Sequence, residues 1–541
     1  MFTNVKHYLS FSIALSVVIL GGLVLAACQA TVQQSPAVAP VPAGAQAGDL
    51  LDVRSCAFQA DGSKTIYQAE CSTLIVPENW DKAGSRLIAL PIVRILATGP
   101  DAAEPVFWLV GGPGGSNLGW EPPAWLLKNR DAVMVGYRGE DGTVILKCPG
   151  FGQQVKAHLG VDMFSEKAYA DLGAAARQCA AGYEQAGVDL TGYTMPQVIE
   201  DMEAARKALG YDRIDLFSES YGTRVAQVYA YMYPESLKRV LQISVNTPGH
   251  FLYDRKVLDS MIRHLADLCA QDAYCGSRTD DFAQTMYDVN RSMPDRWLFL
   301  KIDPDTVRLG TQFMMYDHAN LTTVFDVYLA AGEGDYSGLA FLNLVAKVMY
   351  PADALTYGDS FSKAGTADLP RYGGIDSINL GDSIMGAPHS EFVWPSAATW
   401  PLELIPEDLR NLQESDVEML LINGTVDFAT PATALDEAAP YWHKAQMVLL
   451  PEFSHVNDIY TMQPAAYERL ITSYLDTGVG DASLYVYEPL DFKMDVSNTV
   501  VAKALVAAMI ILPLLLILAV FLIVRRIRRR SAQRASTAPV I

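Results

Sequence analysis

The amino-acid sequence predicts an α/β protein: a doubly wound, mostly parallel sheet, interrupted by an inserted and mainly helical cap and followed by a membrane-crossing helix. Three observations carry the prediction. Short apolar runs alternate with helical patterns from about residue 50 onward, which is how parallel strands and their crossover helices read. Two loops that each follow a strand, and that carry the acid-base groups considered below, stand 207 residues from one another, Ser220 to Asp427. That is more chain than one sheet consumes, so a subdomain is expected between them. Finally, residues 504–524 form an apolar run without a charge.

The elements follow in chain order. Lys6 and His7 precede an apolar stretch over 8–27 that ends Leu25-Ala26-Ala27-Cys28. A basic start, an apolar middle and small residues before the cysteine read as a secretory signal over 1–28, with Cys28 a candidate for lipidation, or else as an uncleaved anchor. Residues 29–49 are rich in Ala, Pro and Gln and read as a linker. Strands are expected at 87–96, 106–110, 132–137, 214–217, 237–245, 417–422 and 446–450. Helices are expected at 196–209 and 223–233. The resulting division is a first core part over 50–250, a cap over 251–405, a second core part over 406–490, a transmembrane helix over 504–524 and a basic tail over 525–541.

The apolar run 504–524 is long enough to cross roughly 30 Å of hydrocarbon at about 1.5 Å per residue. Arg525, Arg526, Arg528, Arg529, Arg530 and Arg534 follow it and are expected to stay in the cytoplasm, leaving the folded part outside. Pro513 lies inside the run, which membrane helices tolerate. Between the two apolar segments the charge is strongly negative. Eight of the 41 basic residues lie at or beyond those segments, so 33 face all 61 acidic ones, a net charge of −28 over residues 29–502. Such a surface repels nucleic acid and suits an exported soluble domain, or a substrate with a cationic end.

Cysteine usage agrees with export. Apart from Cys28 there are six, in local pairs: Cys56 with Cys71, Cys148 with Cys179, and Cys269 with Cys275. Roughly fifteen pairings are open to six cysteines, and only proximity favours this one. No Cys-x-x-Cys spacing or histidine cluster suggests a metal, and no cofactor is expected.

Chemistry is concentrated at three strand ends. Ile214-Asp215-Leu216-Phe217 leads through Ser218-Glu219-Ser220-Tyr221-Gly222 into a helical pattern, which reads as a nucleophile elbow with Ser220 as the nucleophile. The usual first glycine is Ser218, still a small residue. Gly111-Gly112-Pro113-Gly114-Gly115 follows the run 106–110, and bare backbone there can approach a ligand closely. The N-H groups of Gly112 and Tyr221 are the expected oxyanion donors. Asp427 follows the run 417–422 and His455 follows 446–450. Nucleophile, acid and base thus come in the order Ser220, Asp427, His455, each after a strand. His443 is the runner-up for the base, disfavoured because it precedes its strand.

Beyond this triad, Gly136-Tyr137-Arg138-Gly139, Tyr193-Thr194, Asp201, Ala208-Leu209-Gly210-Tyr211, Ser220-Tyr221-Gly222-Thr223-Arg224 and Asp427-Phe428-Ala429-Thr430-Pro431 stand in this chain. Together with the glycine loop they resemble the exported tripeptidyl and prolyl aminopeptidases of the α/β-hydrolase superfamily, over roughly residues 70–250 and 410–475. The resemblance implies an α/β-hydrolase sheet, a helical cap and serine peptidase chemistry near peptide N-termini. Val110 stands where that family usually has histidine, Ser218 replaces the elbow glycine, and Ser454 replaces a common glycine before His455. Three other readings use the same residues. An esterase or lipase would need only the triad. A serine carboxypeptidase would use Glu219 as a protonated carboxyl to bind a substrate C-terminus. A surface binding protein would keep the fold without the chemistry.

Overall fold

The computed structural model describes residues 40–536 apart from 61, 101, 253–254, 351–354 and 372–373. The secretory segment with Cys28, and the linker up to residue 39, lie outside the described residues.

Eleven strands are described: β1 (Leu50–Phe58), β2 (Tyr67–Pro77), β3 (Leu87–Ile95), β4 (Val106–Leu109), β5 (Ala132–Val135), β6 (Ile214–Glu219), β7 (Leu237–Ile243), β8 (Arg296–Trp297), β9 (Leu300–Lys301), β10 (Glu418–Gly424) and β11 (Ala445–Leu450). Nine of them form one sheet in the order β1-β2-β3-β5-β4-β6-β7-β10-β11. From β5 to β11 every neighbour is parallel, while β1, β2 and β3 add on antiparallel at one edge. This is the α/β-hydrolase sheet, and all seven expected strands are in it.

The central strands are buried on both faces. In β4, Phe107 and Leu109 point to one side with the helices Met195–Ala208 and Tyr221–Met232. Val106 and Trp108 point to the other, with Pro464–Thr477. Such strands read as continuous apolar runs rather than alternating ones, which is why β4 and β5 were plain in the sequence. Trp108 stacks on Trp120 at 4.8 Å, closing the second face. Register matters more than packing for the site: Leu109 of β4 is level with Ser218 of β6, and Glu219 with Ile243 of β7. The loops after β4, β6, β10 and β11 therefore emerge at one edge, where open α/β sheets place their ligands.

Among the described residues between β7 and β10, the regular secondary structure is helical except for the β8-β9 hairpin. Its main helices are Arg255–Gln271, Phe282–Ser292, Pro304–Met314, His318–Gly332, Ser337–Met349 and Pro388–Ala397. They share a core around Ile262, Phe282, Phe325 and Tyr328 that extends to Phe428, Phe492 and Val506. The helical layer is not confined to this insert. Helix Glu166–Gln185, from the chain before β6, packs on it, with Thr399 Oγ1 donating to the Gly173 carbonyl at 3.3 Å. Cys56 is joined to Cys71, Cys148 to Cys179 and Cys269 to Cys275.

Helix Asn498–Ser536 ends the described chain, and its Asn498–Arg530 part is the one helix among the described residues long and apolar enough to cross a membrane. Its first turns are not free. Asp326 accepts the Asn498 N-H at 2.8 Å, Lys503 pairs with Asp335 at 2.6 Å, and Ala502 and Val506 are buried. From Met509 to Arg530 the helix is exposed along its whole circumference.

Candidate active site

The turn after β6 holds Ser220 at φ 49° and ψ −128°. A non-glycine residue there is strained by about 1–3 kcal/mol, and the neighbouring strands must hold it in place. They do so through the Ser220 N-H, which donates to the Ile243 carbonyl of β7 at 2.9 Å. Glycine is required around it. A Cβ at Gly222 would lie 2.2 Å from the Leu109 carbonyl oxygen, and one at Gly111 would lie 2.7 Å from the Ser220 Cβ. Ser218, in the place of the usual elbow glycine, fits because its hydroxyl has a buried acceptor, the Leu241 carbonyl at 2.9 Å.

The other two triad candidates converge on this serine. His455 Nε2 lies 3.0 Å from Ser220 Oγ, and His455 Nδ1 lies 2.8 and 3.0 Å from the two oxygens of Asp427. Asp427 is fully buried and also accepts from the Thr430 hydroxyl, the Thr430 N-H and the Ala429 N-H. Burial pushes its carboxyl up, but His455 beside it and the Thr430 hydrogen bonds outweigh that and hold it below the usual carboxylate range. For His455 burial works the other way, against the charged ring. Asp427, helped by Glu219 and Asp458, outweighs it and holds the imidazole above its ordinary value. Its side chain is 17 % exposed, enough to reach a bound substrate.

Gly112 and Tyr221 line the same cleft as Ser220. Tyr221 opens the helix Tyr221–Met232, so its N-H is among the first-turn donors that have no acceptor within the helix. Glu219 sits differently. Its carboxylate accepts the Tyr460 hydroxyl at 2.6 Å, burial raises its pKa, and it is not among the residues lining the cleft. His443 is remote from this group, 3.3 Å from Asp416 at the surface.

The insert reaches the site directly. Thr356 N-H donates to the Gly114 carbonyl at 3.2 Å, and Lys363 Nζ donates to Asp359 and to the Arg138 carbonyl. Ser454, which stands where a glycine is common, donates its hydroxyl to Met315 O at 3.0 Å and so ties the His455 loop to the insert. The cleft above Ser220 holds about 270 Å³ and is walled largely by rings, including Phe151, Phe251, Phe313, Tyr316, Phe361 and Phe392. His389 stands among them. Sequence reasoning missed this wall because a lone aromatic in a helix reads as core. The role of Thr430 was open to notice: a threonine three residues after an aspartate often bonds back to it.

Residues 390–483, which contain Asp427 and His455, match the sequence family described as "TAP-like protein". The chain is 26 % identical over 274 residues to a tripeptidyl aminopeptidase of Streptomyces lividans, across 46 % of this chain and 48 % of that protein. It is 24 % identical over 258 residues to the serine protease Hip1 of Mycobacterium tuberculosis, across 45 % and 48 %. The match thus spans about half the length of these curated relatives. A solved serine hydrolase of Cycloclasticus zankles aligns over 76 % of this chain and all of its own, at 13 % identity and a TM-score of 0.34. The fold assignment rests on the strand order and the elbow rather than on that likeness. In strand order and elbow this chain is an α/β hydrolase, and in sequence it resembles a tripeptidyl aminopeptidase and a serine protease.

Proposed function

We propose that the protein is a membrane-anchored, extracytoplasmic serine peptidase that cleaves near peptide N-termini. The observation that carries the reading is the unbroken hydrogen-bonded line from Asp427 through His455 to Ser220, ending on a strained elbow beneath a roofed cleft. His455 Nε2 takes the Ser220 proton as Oγ attacks the scissile carbonyl. The N-H groups of Tyr221 and Gly112 bind the oxyanion, His455 passes the proton to the leaving amine, and water then releases the acyl group by the same route. Asp427 holds the ring in the tautomer this needs. The apolar helix with its arginine-rich end and the three disulfides support placement outside the cytoplasm. Similarity to a tripeptidyl aminopeptidase, a covered cleft and Glu219 turned away to Tyr460 favour an N-terminal over a C-terminal exopeptidase.

The test is fluorophosphonate labelling of the purified protein, followed by free and N-acetylated peptide reporters. Labelling at Ser220 with cleavage of free-amino substrates only is the expected result. Cleavage of simple esters alone would move the assignment to an esterase, and no labelling of folded protein would leave a binding protein.

The acidic limb of the pH profile is a second check. A general base works only when neutral, and Asp427 outweighs burial to raise the His455 pKa. Cleavage is therefore expected to fall as pH drops through a midpoint above the ordinary imidazole value of about 6.5. A midpoint below that value would mean that Asp427 does not hold the ring as described.

A further inference from the structure

Ser220 and His455 sit on the loops after β6 and β11, and β7 and β10 lie between those two strands. At a spacing of about 4.8 Å per strand the two strand ends stand about 14 Å apart, yet His455 Nε2 and Ser220 Oγ meet at 3.0 Å. The sheet alone does not set that distance; the loops have to be held. Several bonds tie the His455 loop to the insert. Ser454 Oγ and the His455 N-H donate to the carbonyls of Met315 and Tyr316, and Asp458 accepts the N-H groups of Ser454 and His318. A further side-chain bond crosses the same gap as Ser220 and His455 themselves: the Tyr460 hydroxyl donates to Glu219 Oε2 at 2.6 Å.

Both ends of this bond are placed to act on the triad. Glu219 is the last residue of β6 and the chain neighbour of Ser220, while Tyr460 belongs to the short helix Val456–Thr461 that His455 caps. The Tyr460 ring is held in turn, edge-on to Tyr467 at 5.2 Å, and Tyr467 is edge-on to Trp125 at 5.9 Å. The carboxylate also carries charge. The titratable groups that feel it are Tyr137 in the loop after β5, Tyr460, Tyr467 of the helix Pro464–Thr477, and His455. Burial pushes the three phenols well above their ordinary value, so they stay neutral. Burial also works against the charged imidazole, and Glu219 adds to Asp427 in opposing it. Burial raises the Glu219 carboxyl itself, which the Tyr460 hydrogen bond and His455 counter.

We propose that Glu219 is a positioning residue: through Tyr460 it holds the His455 loop against the elbow, and its carboxylate supports the positive charge that His455 takes on when Ser220 gives up its proton. The role rests on the serine peptidase function proposed above and deepens it, and it requires no contact between Glu219 and the substrate.

The test uses the full-length protein in detergent and two readouts: the rate of fluorophosphonate labelling at Ser220 as a function of pH, and steady-state hydrolysis of free-amino peptide reporters. Y460F removes the hydrogen bond but keeps the ring and the carboxylate. E219Q keeps an acceptor for Tyr460 and removes the charge. Y460F is expected to slow labelling and lower kcat about tenfold, the worth of one hydrogen bond to a charged group, with KM little changed. E219Q should keep most of the wild-type rate on the alkaline plateau while its acidic limb moves to lower pH, because a neutral amide no longer favours the charged ring. An acidic limb that stays in place in E219Q, or a Y460F protein labelled as fast as the wild type, would overturn the role and leave the pair as packing. The labelling also separates this role from the function beneath it. A folded but unlabelled wild type removes the peptidase, whereas a labelled wild type matched by Y460F removes only the positioning.

Discussion

Ser220→Ala is expected to lower peptide turnover on the order of a millionfold while leaving the melting temperature within a few degrees of the wild type. Loss of a triad nucleophile removes the acyl-enzyme route altogether, and what remains comes from binding and the oxyanion donors. Stability should change little because the strain at φ 49° belongs to the backbone turn, held by the Ser220 N-H rather than by the hydroxyl. Asp427→Asn tests the next link. An amide in that place still accepts from Thr430 but favours the wrong tautomer of His455, and a loss of about ten-thousandfold in kcat is expected. Steady-state hydrolysis on purified variants, beside a thermal scan, measures both. Turnover retained in Ser220→Ala would move the nucleophile elsewhere.

The second large effect falls on stability. Arg138 is fully buried in the loop after β5, with its guanidinium paired to both oxygens of Asp201 and donating to the carbonyls of Glu78 and Gly192 at 2.6 Å each and of Pro77 at 3.1 Å. Arg138→Met would leave the Asp201 carboxylate and three carbonyls without this donor in a dry interior, a loss of about 3–5 kcal/mol. The double variant Arg138→Met with Asp201→Leu should recover part of that, because it no longer buries a lone charge. Denaturant titration of the two variants separates these outcomes. A single variant within 1 kcal/mol of the wild type would mean that water reaches the pair.

Much of this was legible in the chain. The strands that carry the site, β4, β6, β10 and β11, are buried on a face or on both and flanked by turn residues, so their ends and the residues just after them could be read directly. The convergence of Ser220, Asp427 and His455 followed from strand order alone. β1 and β2 were not expected as strands, for a physical reason. β1 is an edge strand whose middle, Val53-Arg54-Ser55, is exposed, and β2 buries Ser72 and Thr73 among its apolar residues. Neither shows a clean period. The insert was foreseen only as surplus length. Its helices could be guessed, but which of them presents a ring to Ser220 depends on long-range packing that no local pattern encodes, and His389 was hidden for that reason. The role of Arg138 and Asp201 was hidden similarly: the sequence showed both residues inside motifs, and only the fold shows that one neutralises the other.

The docking of the last helix on the insert has a mechanical meaning. Because Ala502 and Val506 are buried and Asp326 and Asp335 grip the turns beside them, the apolar segment continues the insert as a strut rather than hanging from the domain as a leash. If the segment is anchored in a bilayer as proposed, the strut would give the insert a set height and tilt while the sheet carries Ser220. Should that anchoring hold, relative motion between insert and sheet would displace the sheet, while the insert kept its place at the membrane.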